Sequence, residues 1–163
     1  MADDVILLPL TPDSPHIETV AAWQQAAWGH LNPTLDFLGR CTEVRGECGP
    51  AGVPRVFVAM VEAHPVGTAS LIEDDMSTRP ELTPWLASVF VLPEWRGRGI
   101  ASRLVRRVEE EARQADVERF YLYTPDQQAL YRRLGWQAFE DVSYRGEQVT
   151  LMYRTLEEKP PVD

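Results

Sequence analysis

Two arginine–glycine pairs carry the most chemistry per residue in this chain of 163 residues. Arg96-Gly97 and Arg98-Gly99 follow an apolar run, Val89-Phe90-Val91-Leu92, that is closed by Pro93, and they precede a periodic segment that opens Ile100-Ala101-Ser102 and runs to about Arg113. A strand ending in a glycine-rich turn and then a helix presents unpaired backbone N–H groups at the positive end of the helix dipole. Gly97 and Gly99 let the backbone turn sharply and come close to a ligand, and the two guanidiniums add charge and fork geometry for phosphate oxygens. The stretch therefore reads as an anion site. A tight turn with arginines exposed for solubility would use the same residues. Neither a Walker loop nor a dinucleotide fingerprint is present, because the Gly-Lys-Ser/Thr ending and the Gly-x-Gly-x-x-Gly spacing are both missing.

The elements around this junction follow from periodicity and turn chemistry. Val5 to Leu10 predicts a first strand, stopped by Thr11-Pro12-Asp13-Ser14-Pro15. Ile17, Val20, Ala21, Trp23, Ala27, Trp28 and Leu31 fall at three- and four-residue spacing and predict a helix that stops near Asn32-Pro33. A weaker helix is expected over Thr34 to Arg45, then a loop from Gly46 to Pro54. Val56 to Ala63 and Val66 to Ile72 predict an antiparallel hairpin broken at His64-Pro65. Trp85 to Leu92 is almost wholly apolar, as a central strand buried on both faces would be.

From Gly99, the positions Ile100, Ala101, Leu104, Val105, Val108, Ala112 and Ala115 trace one face of a long helix. Phe120 to Tyr123 predicts the next strand, and strand, helix and strand in this order predict a parallel crossover unit. Thr124-Pro125-Asp126-Gln127 has the parts of a capping box, with Thr124 as N-cap, and Gly135 is placed to cap the C-terminus. Trp136 to Tyr144 and Gln148 to Arg154 predict two closing strands, and Glu157 to Asp163 a frayed tail.

Composition bounds the function. At this length, with 44% hydrophobic residues, one domain over residues 1–163 is expected, with no need of a disulfide or metal staple. The 25 acidic against 16 basic residues, a formal charge of −9, disfavour a nucleic-acid backbone as partner and suit solubility. Cys41 and Cys48 have no second pair and no histidine at metal-ligand spacing, so they read as ordinary thiols, and no metal site is expected. The opening Met1 to Val5 lacks the basic and apolar regions of a signal peptide, and no run of about 18 apolar residues occurs. A cytoplasmic protein without a membrane partner is the expectation.

Val89 to Ala101, followed later by Ala129-Leu130-Tyr131-Arg132-Arg133-Leu134-Gly135-Trp136, resembles the GCN5-related N-acetyltransferase family. The family's Arg/Gln-x-x-Gly-x-Gly/Ala motif is met by Arg96, Gly99 and Ala101, and the order of elements fits from Val5 to about Leu156. The resemblance implies an α/β (α+β) acyl-CoA N-acyltransferase fold: a mixed central sheet of about six or seven strands, flanked by about four helices and splayed between the Trp85–Leu92 and Phe120–Tyr123 strands. Acetyl-CoA would enter that gap as the cosubstrate. Its pantetheine arm would pair with backbone at Val89, Phe90 and Val91, and its pyrophosphate would sit on the turn formed by Arg96, Gly97, Arg98, Gly99, Ile100, Ala101 and Ser102.

By the same resemblance Tyr131 stands where the family commonly has a tyrosine that protonates the departing thiolate, a task a phenol with a pKa of about 10 can perform. A helix aromatic whose hydroxyl is tied to backbone is the structural alternative. Where the family often has an asparagine that contacts the cofactor, this chain has Thr124, which its capping duty competes for. An attacking amine must shed a proton, and Glu73, Asp74 and Asp75 are candidates to help, although a solvated acidic loop would look the same. Trp28, Trp85 and the loop around Arg79 are candidates for the acceptor pocket, though aromatics so placed are commonly core. The expected activity is transfer of an acetyl group to a primary amine, small molecule or peptide, by direct attack in a ternary complex, since no Cys or Ser has the setting of an activated nucleophile. A non-catalytic acetyl-CoA-binding regulatory module is the alternative. The acceptor's identity and dimerisation through the closing hairpin are left open by the sequence.

Overall fold

The computed structural model describes residues 4–156. The predicted tail, Glu157 to Asp163, lies outside the described residues. Among the described residues the sheet has seven strands in the order β1-β2-β3-β4-β5-β7-β6. These are β1 (Val5–Pro9), β2 (Arg55–Val61), β3 (His64–Ile72), β4 (Trp85–Val91), β5 (Arg119–Thr124), β6 (Gln137–Tyr144) and β7 (Glu147–Thr155), and four α-helices accompany them: α1 (Ile17–Trp28), α2 (Phe37–Gly46), α3 (Ile100–Gln114) and α4 (Gln128–Arg133). All neighbours pair antiparallel except β4 and β5, which are parallel and joined through α3.

Alternation along the strands sorts side chains to the two faces of the sheet. Phe57, Ala59 and Val61 of β2 pack with Ile100, Leu104, Val105, Val108 and Ala112 of α3, a cluster that continues through Phe120, Leu122, Tyr131 and Trp136. Val56, Val58 and Met60 point the other way, against Val20 and Ala21 of α1 and Cys41 and Val44 of α2. A third cluster, on that second face, gathers Ile72, Met76, Trp85, Ala87, Tyr144 and Leu151. Cys41 and Cys48 are both buried free thiols.

Local boundaries differ from the sequence reading where a specific bond decides them. The helix expected from Thr34 begins at Phe37, because the Asp36 carboxylate accepts the Gly39 N–H at 2.7 Å and acts as its N-cap. The hairpin turns at Glu62-Ala63, and Pro65 lies inside β3, where a register shift between Ala59 and Met60 accommodates a residue without an N–H. The last helix starts at Gln128 rather than Pro125. The Thr124 hydroxyl instead accepts the N–H groups of Asp126 and Gln127, at 3.4 and 3.0 Å, closing a turn ahead of the helix. Gly135 ends α4 as expected: its N–H donates to Arg132 and that of Trp136 to Tyr131, which is the paired bonding of a Schellman cap.

Just past α2, Glu47 holds a proton more tightly than a free carboxyl does. Burial, then the charge of Glu43 one turn back, outweigh Arg40 and raise its pKa from 4.5 to about 7. The folded state therefore keeps a proton that the unfolded chain loses. The stabilisation this gives is complete below 4.5 and is lost as pH rises through about 7. Glu47→Gln, which cannot ionise, is expected to gain roughly 1–3 kcal/mol on the wild type between about pH 4 and about pH 8 in urea unfolding. A difference independent of pH would show that the carboxyl is not held in this way.

Candidate active site

The sheet opens in its middle. β4 and β5 share one paired position, Trp85 with Tyr121, at their N-terminal ends, and part company towards Val91 and Thr124. Between them lies a cleft of about 1050 Å³ whose walls include Leu86 to Val91 on one side and Leu122 to Thr124 on the other. Trp85 seals the joined end: it is fully buried, its indole N–H donates to the Leu82 carbonyl at 2.7 Å, and its ring meets Tyr121 and Tyr123 at 5.8 and 6.0 Å. The expectation that β4 is covered on both faces holds for Trp85, Leu86 and Ala87 and again for Val91. Ser88, Val89 and Phe90 are partly exposed because they face the opening.

β4 also carries a bulge that the sequence did not announce. Ala87 pairs with Ser70 and Phe90 with Thr68, so Ser88 and Val89 together oppose Ala69. Ser88 takes up the extra length with φ of 55°, in the left-handed region where a non-glycine residue is strained. A bulge withdraws its extra residue from the ladder and re-aims the backbone, here at a wall of the cleft.

The predicted anion turn lies at the mouth on the α3 face. Gly97 and Gly99 have φ of 75° and 78°, which explains why glycine stands at both. A methyl group added at either would meet no atom within 4 Å, so the space in front of the turn is open. Gly99 is the N-cap of α3 and offers no side-chain cap, so the first-turn N–H groups of Ile100, Ala101 and Ser102 face the cleft without a capping partner. Arg96 lines the cleft, but its Nε donates to the Val91 carbonyl at 2.9 Å and its guanidinium lies over Phe90, so it pins the turn to the end of β4. Arg98 does not line the cleft; its guanidinium sits 4.5 Å from the centre of the Trp95 ring.

Tyr131 enters from the opposite wall. It is 7% exposed and packs edge-on against Trp136 at 6.1 Å, and its hydroxyl makes no hydrogen bond with a described residue. Burial, aided by the charge of Asp126, pushes its pKa well above the ordinary phenol value, so it stays protonated throughout the neutral range. The alternative expected for a lone tyrosine, a hydroxyl tied to backbone, is not what is seen. Thr124 lines the same wall, with its hydroxyl oxygen committed to the turn described above.

The other mouth opens on the α1–α2 face, and its lining is acidic. Glu43 of α2, Asp74 and Asp75 after β3, and Glu147 at the start of β7 reach it, with Arg40 and Arg145 among them. Burial raises the Asp75 carboxyl well above the usual carboxylate range; the charges of Glu47 and Glu43 add to this and Arg145 opposes it. Glu73 does not line the cleft. Trp28 does, meeting Phe90 edge-on at 6.4 Å, whereas Trp85 is core and Arg79 is engaged by Glu81 and Glu140. Tyr123, Tyr144 and Arg145 were not singled out in the sequence, since each stands alone in a strand or turn with no motif around it. Among the described residues no three His, Cys, Asp or Glu side chains group as metal ligands, and no helix is long and apolar enough to cross a membrane.

Solved structures share this architecture. yncA from Salmonella typhimurium, solved with its cofactor acetyl-CoA, superimposes with a TM-score of 0.74 at 18% identity, covering 98% of each chain. Aminoglycoside 6'-acetyltransferase type Ii gives 0.72 at 18% identity over 95% of this chain and 99% of its own. An aminoglycoside 6'-N-acetyltransferase complexed with coenzyme A gives 0.71 at 16% identity over 96% and 99%. These likenesses establish the acyl-CoA N-acyltransferase fold. No curated protein matches the chain by sequence. The profile described as the acetyltransferase (GNAT) family matches residues 17–136, which hold the anion turn, the opened strands and Tyr131 alike, and the chain belongs to that family of acetyltransferases.

Proposed function

We propose that the protein moves the acetyl group of acetyl-CoA to a primary amine by direct attack within a ternary complex. The observation that carries this reading is a buried phenol, Tyr131, whose hydroxyl has no hydrogen-bond partner among the described residues, set in a cleft that runs through the sheet from a bare helix N-terminus to an acidic mouth. The pyrophosphate belongs on the N–H groups of Ile100, Ala101 and Ser102, where the helix dipole and the open glycine turn favour it. The pantetheine amides take the place of the missing strand along Val89, Phe90 and Val91, whose backbone β5 does not reach. The bulge at Ser88 and Val89 aims backbone at the same space, which suits donors for the thioester oxygen.

In the reaction the amine nitrogen bonds to the thioester carbon, the carbon–sulfur bond breaks, and the sulfur leaves with the electron pair. Tyr131 gives its proton to that sulfur, and the proton lost by the amine restores the balance. A covalent acetyl-enzyme through cysteine is disfavoured, because Cys41 and Cys48 are packed beneath α1 and α2 and neither lines the cleft.

The reading is tested by acetyl-CoA-dependent thiol release across a panel of primary amines. Tyr131→Phe is expected to lower kcat by about 10²-fold or more while CoA affinity stays within about threefold. Because burial holds the phenol protonated, wild-type kcat should show no fall assignable to Tyr131 below about pH 10. Equal kcat in the variant would mark a module that binds the cofactor without using this group.

Gly99→Ala probes the other mouth. An L side chain at a φ of 78° is strained, so the first-turn amides must shift. CoA dissociation constants measured by calorimetry should rise about tenfold, for a strain of about 1 kcal/mol and a displaced anion contact. An unchanged constant would remove the anion from this turn.

A further inference from the structure

The acidic mouth holds more carboxyl groups than the fold itself pairs. Its four carboxylates, Glu43, Asp74, Asp75 and Glu147, face two guanidiniums, Arg40 and Arg145. Those two are turned towards uncharged partners: Arg40 Nε donates to the Gln25 side-chain oxygen at 3.2 Å, and Arg145 to the Leu31 carbonyl at 3.2 Å. Among the described residues the one ion pair on any of the four is Glu147 with His30, at 3.7 Å.

Asp75 is the sharpest case. It is partly buried, lines the cleft, and makes no hydrogen bond and no ion pair with a described residue. A carboxylate in that setting is costly unless a cation or a donor meets it. Burial and the neighbouring Glu47 and Glu43 already bias Asp75 towards its protonated form, and a cation placed beside it would reverse that bias. Trp28, Tyr123 and Tyr144 supply flat apolar surface along the same mouth. Such surface suits a methylene chain, and its ring faces suit a cation.

We propose that the acceptor is a diamine or polyamine, with one amino group directed to the thioester and a second, remaining as ammonium, held at Asp75 among Glu43, Asp74 and Glu147. This rests on the acetyl-transfer reading for the role of the first amino group, while the second group's site stands on the cleft alone. The acidic mouth lies on the α1–α2 face and the glycine turn on the α3 face, so the two ligands approach through opposite faces of the sheet. Selectivity follows from the same arrangement: a monoamine of equal length fills the apolar wall and leaves Asp75 unanswered.

The test is calorimetric binding to the CoA-loaded protein, comparing α,ω-diamines of three to six carbons with the monoamines of the same length. At least one diamine should bind about tenfold or more tighter than its monoamine, the scale of a charge-assisted hydrogen bond in a partly buried site. Asp75→Asn should cut that preference by about tenfold, and Glu43→Gln should reduce it less. Glu43→Gln also serves as the readout if Asp75→Asn no longer binds CoA. Equal binding of diamine and monoamine, or a preference that survives both substitutions, overturns the proposal. Thiol release is scored separately on the same amines. Diamine preference without acetyl transfer would sink the enzymatic reading and leave the cation site standing. A fall in kcat in Asp75→Asn equal for both amine classes, with no change in their relative binding, would assign Asp75 to the reacting amine and overturn the proposal.

Discussion

The structure depends on a pair of parallel strands that begin together and then separate. A sheet normally satisfies the N–H and C=O groups of each strand with its neighbour, and leaving them unmet away from water costs free energy. Here the zipper stops after Trp85 and Tyr121. What keeps it from closing is packing on both faces. Trp85 fills the joined end. The bulge at Ser88 bends β4. The half of the sheet formed by β5, β7 and β6 is fastened to α3 rather than to β4: Arg154 of β7 pairs with Glu109 at 3.1 Å, and Arg106 donates to the Leu134 carbonyl at 3.1 Å. Glu109 is nearly fully buried, so these are anchors of a kind that surface ion pairs are not. The opening is thus a fixed feature of the core, with strand backbone exposed along it as a ready template for an amide-bearing chain.

Polarity is built into the same gap. One mouth offers backbone N–H groups at a helix start, and the other offers carboxylates. A formal charge of −9 is compatible with an anionic ligand because the positive potential that ligand needs is local, from oriented peptide dipoles at Gly99 to Ser102. The net charge, read from the sequence as a matter of solubility, has a part in the cleft as well, since four of the acidic residues line one mouth. Tyr131 lies on the wall between the two, kept protonated by the burial that also keeps it in place.

How legible this was depended on whether a feature is local in the chain. The Gly97–Gly99 turn and the helix after it could be read because strand, turn and helix start are consecutive, whereas Tyr131 stood out only through the family resemblance carried by Ala129 to Trp136. Thr124 was recognised as a cap but placed at the wrong bond: its hydroxyl closes a turn, and Gln128 starts the helix by donating back to the Thr124 and Pro125 carbonyls. The hairpin was placed two residues late because Pro65 reads as a breaker, whereas a register shift lets it stay in the strand. Ser88 gave no sign at all, since a serine holds the left-handed position of the bulge where a glycine would have marked it. The acidic mouth was legible only in part. Asp74 and Asp75 stand out in the sequence, but Glu43 of α2 and Glu147 of β7 are far from them in the chain, and only the fold brings those segments together.

The central claim is that the cofactor lies in the gap along β4 and on the start of α3. Amide hydrogen exchange with and without CoA measures this most directly. Those residues of Val89 to Val91 whose N–H points into the gap rather than to β3, and Ile100, Ala101 and Ser102 on the helix, should exchange more slowly when CoA is bound, because N–H groups that face the cleft gain partners. Unchanged exchange at both segments under saturating CoA, with protection appearing elsewhere, would contradict the account.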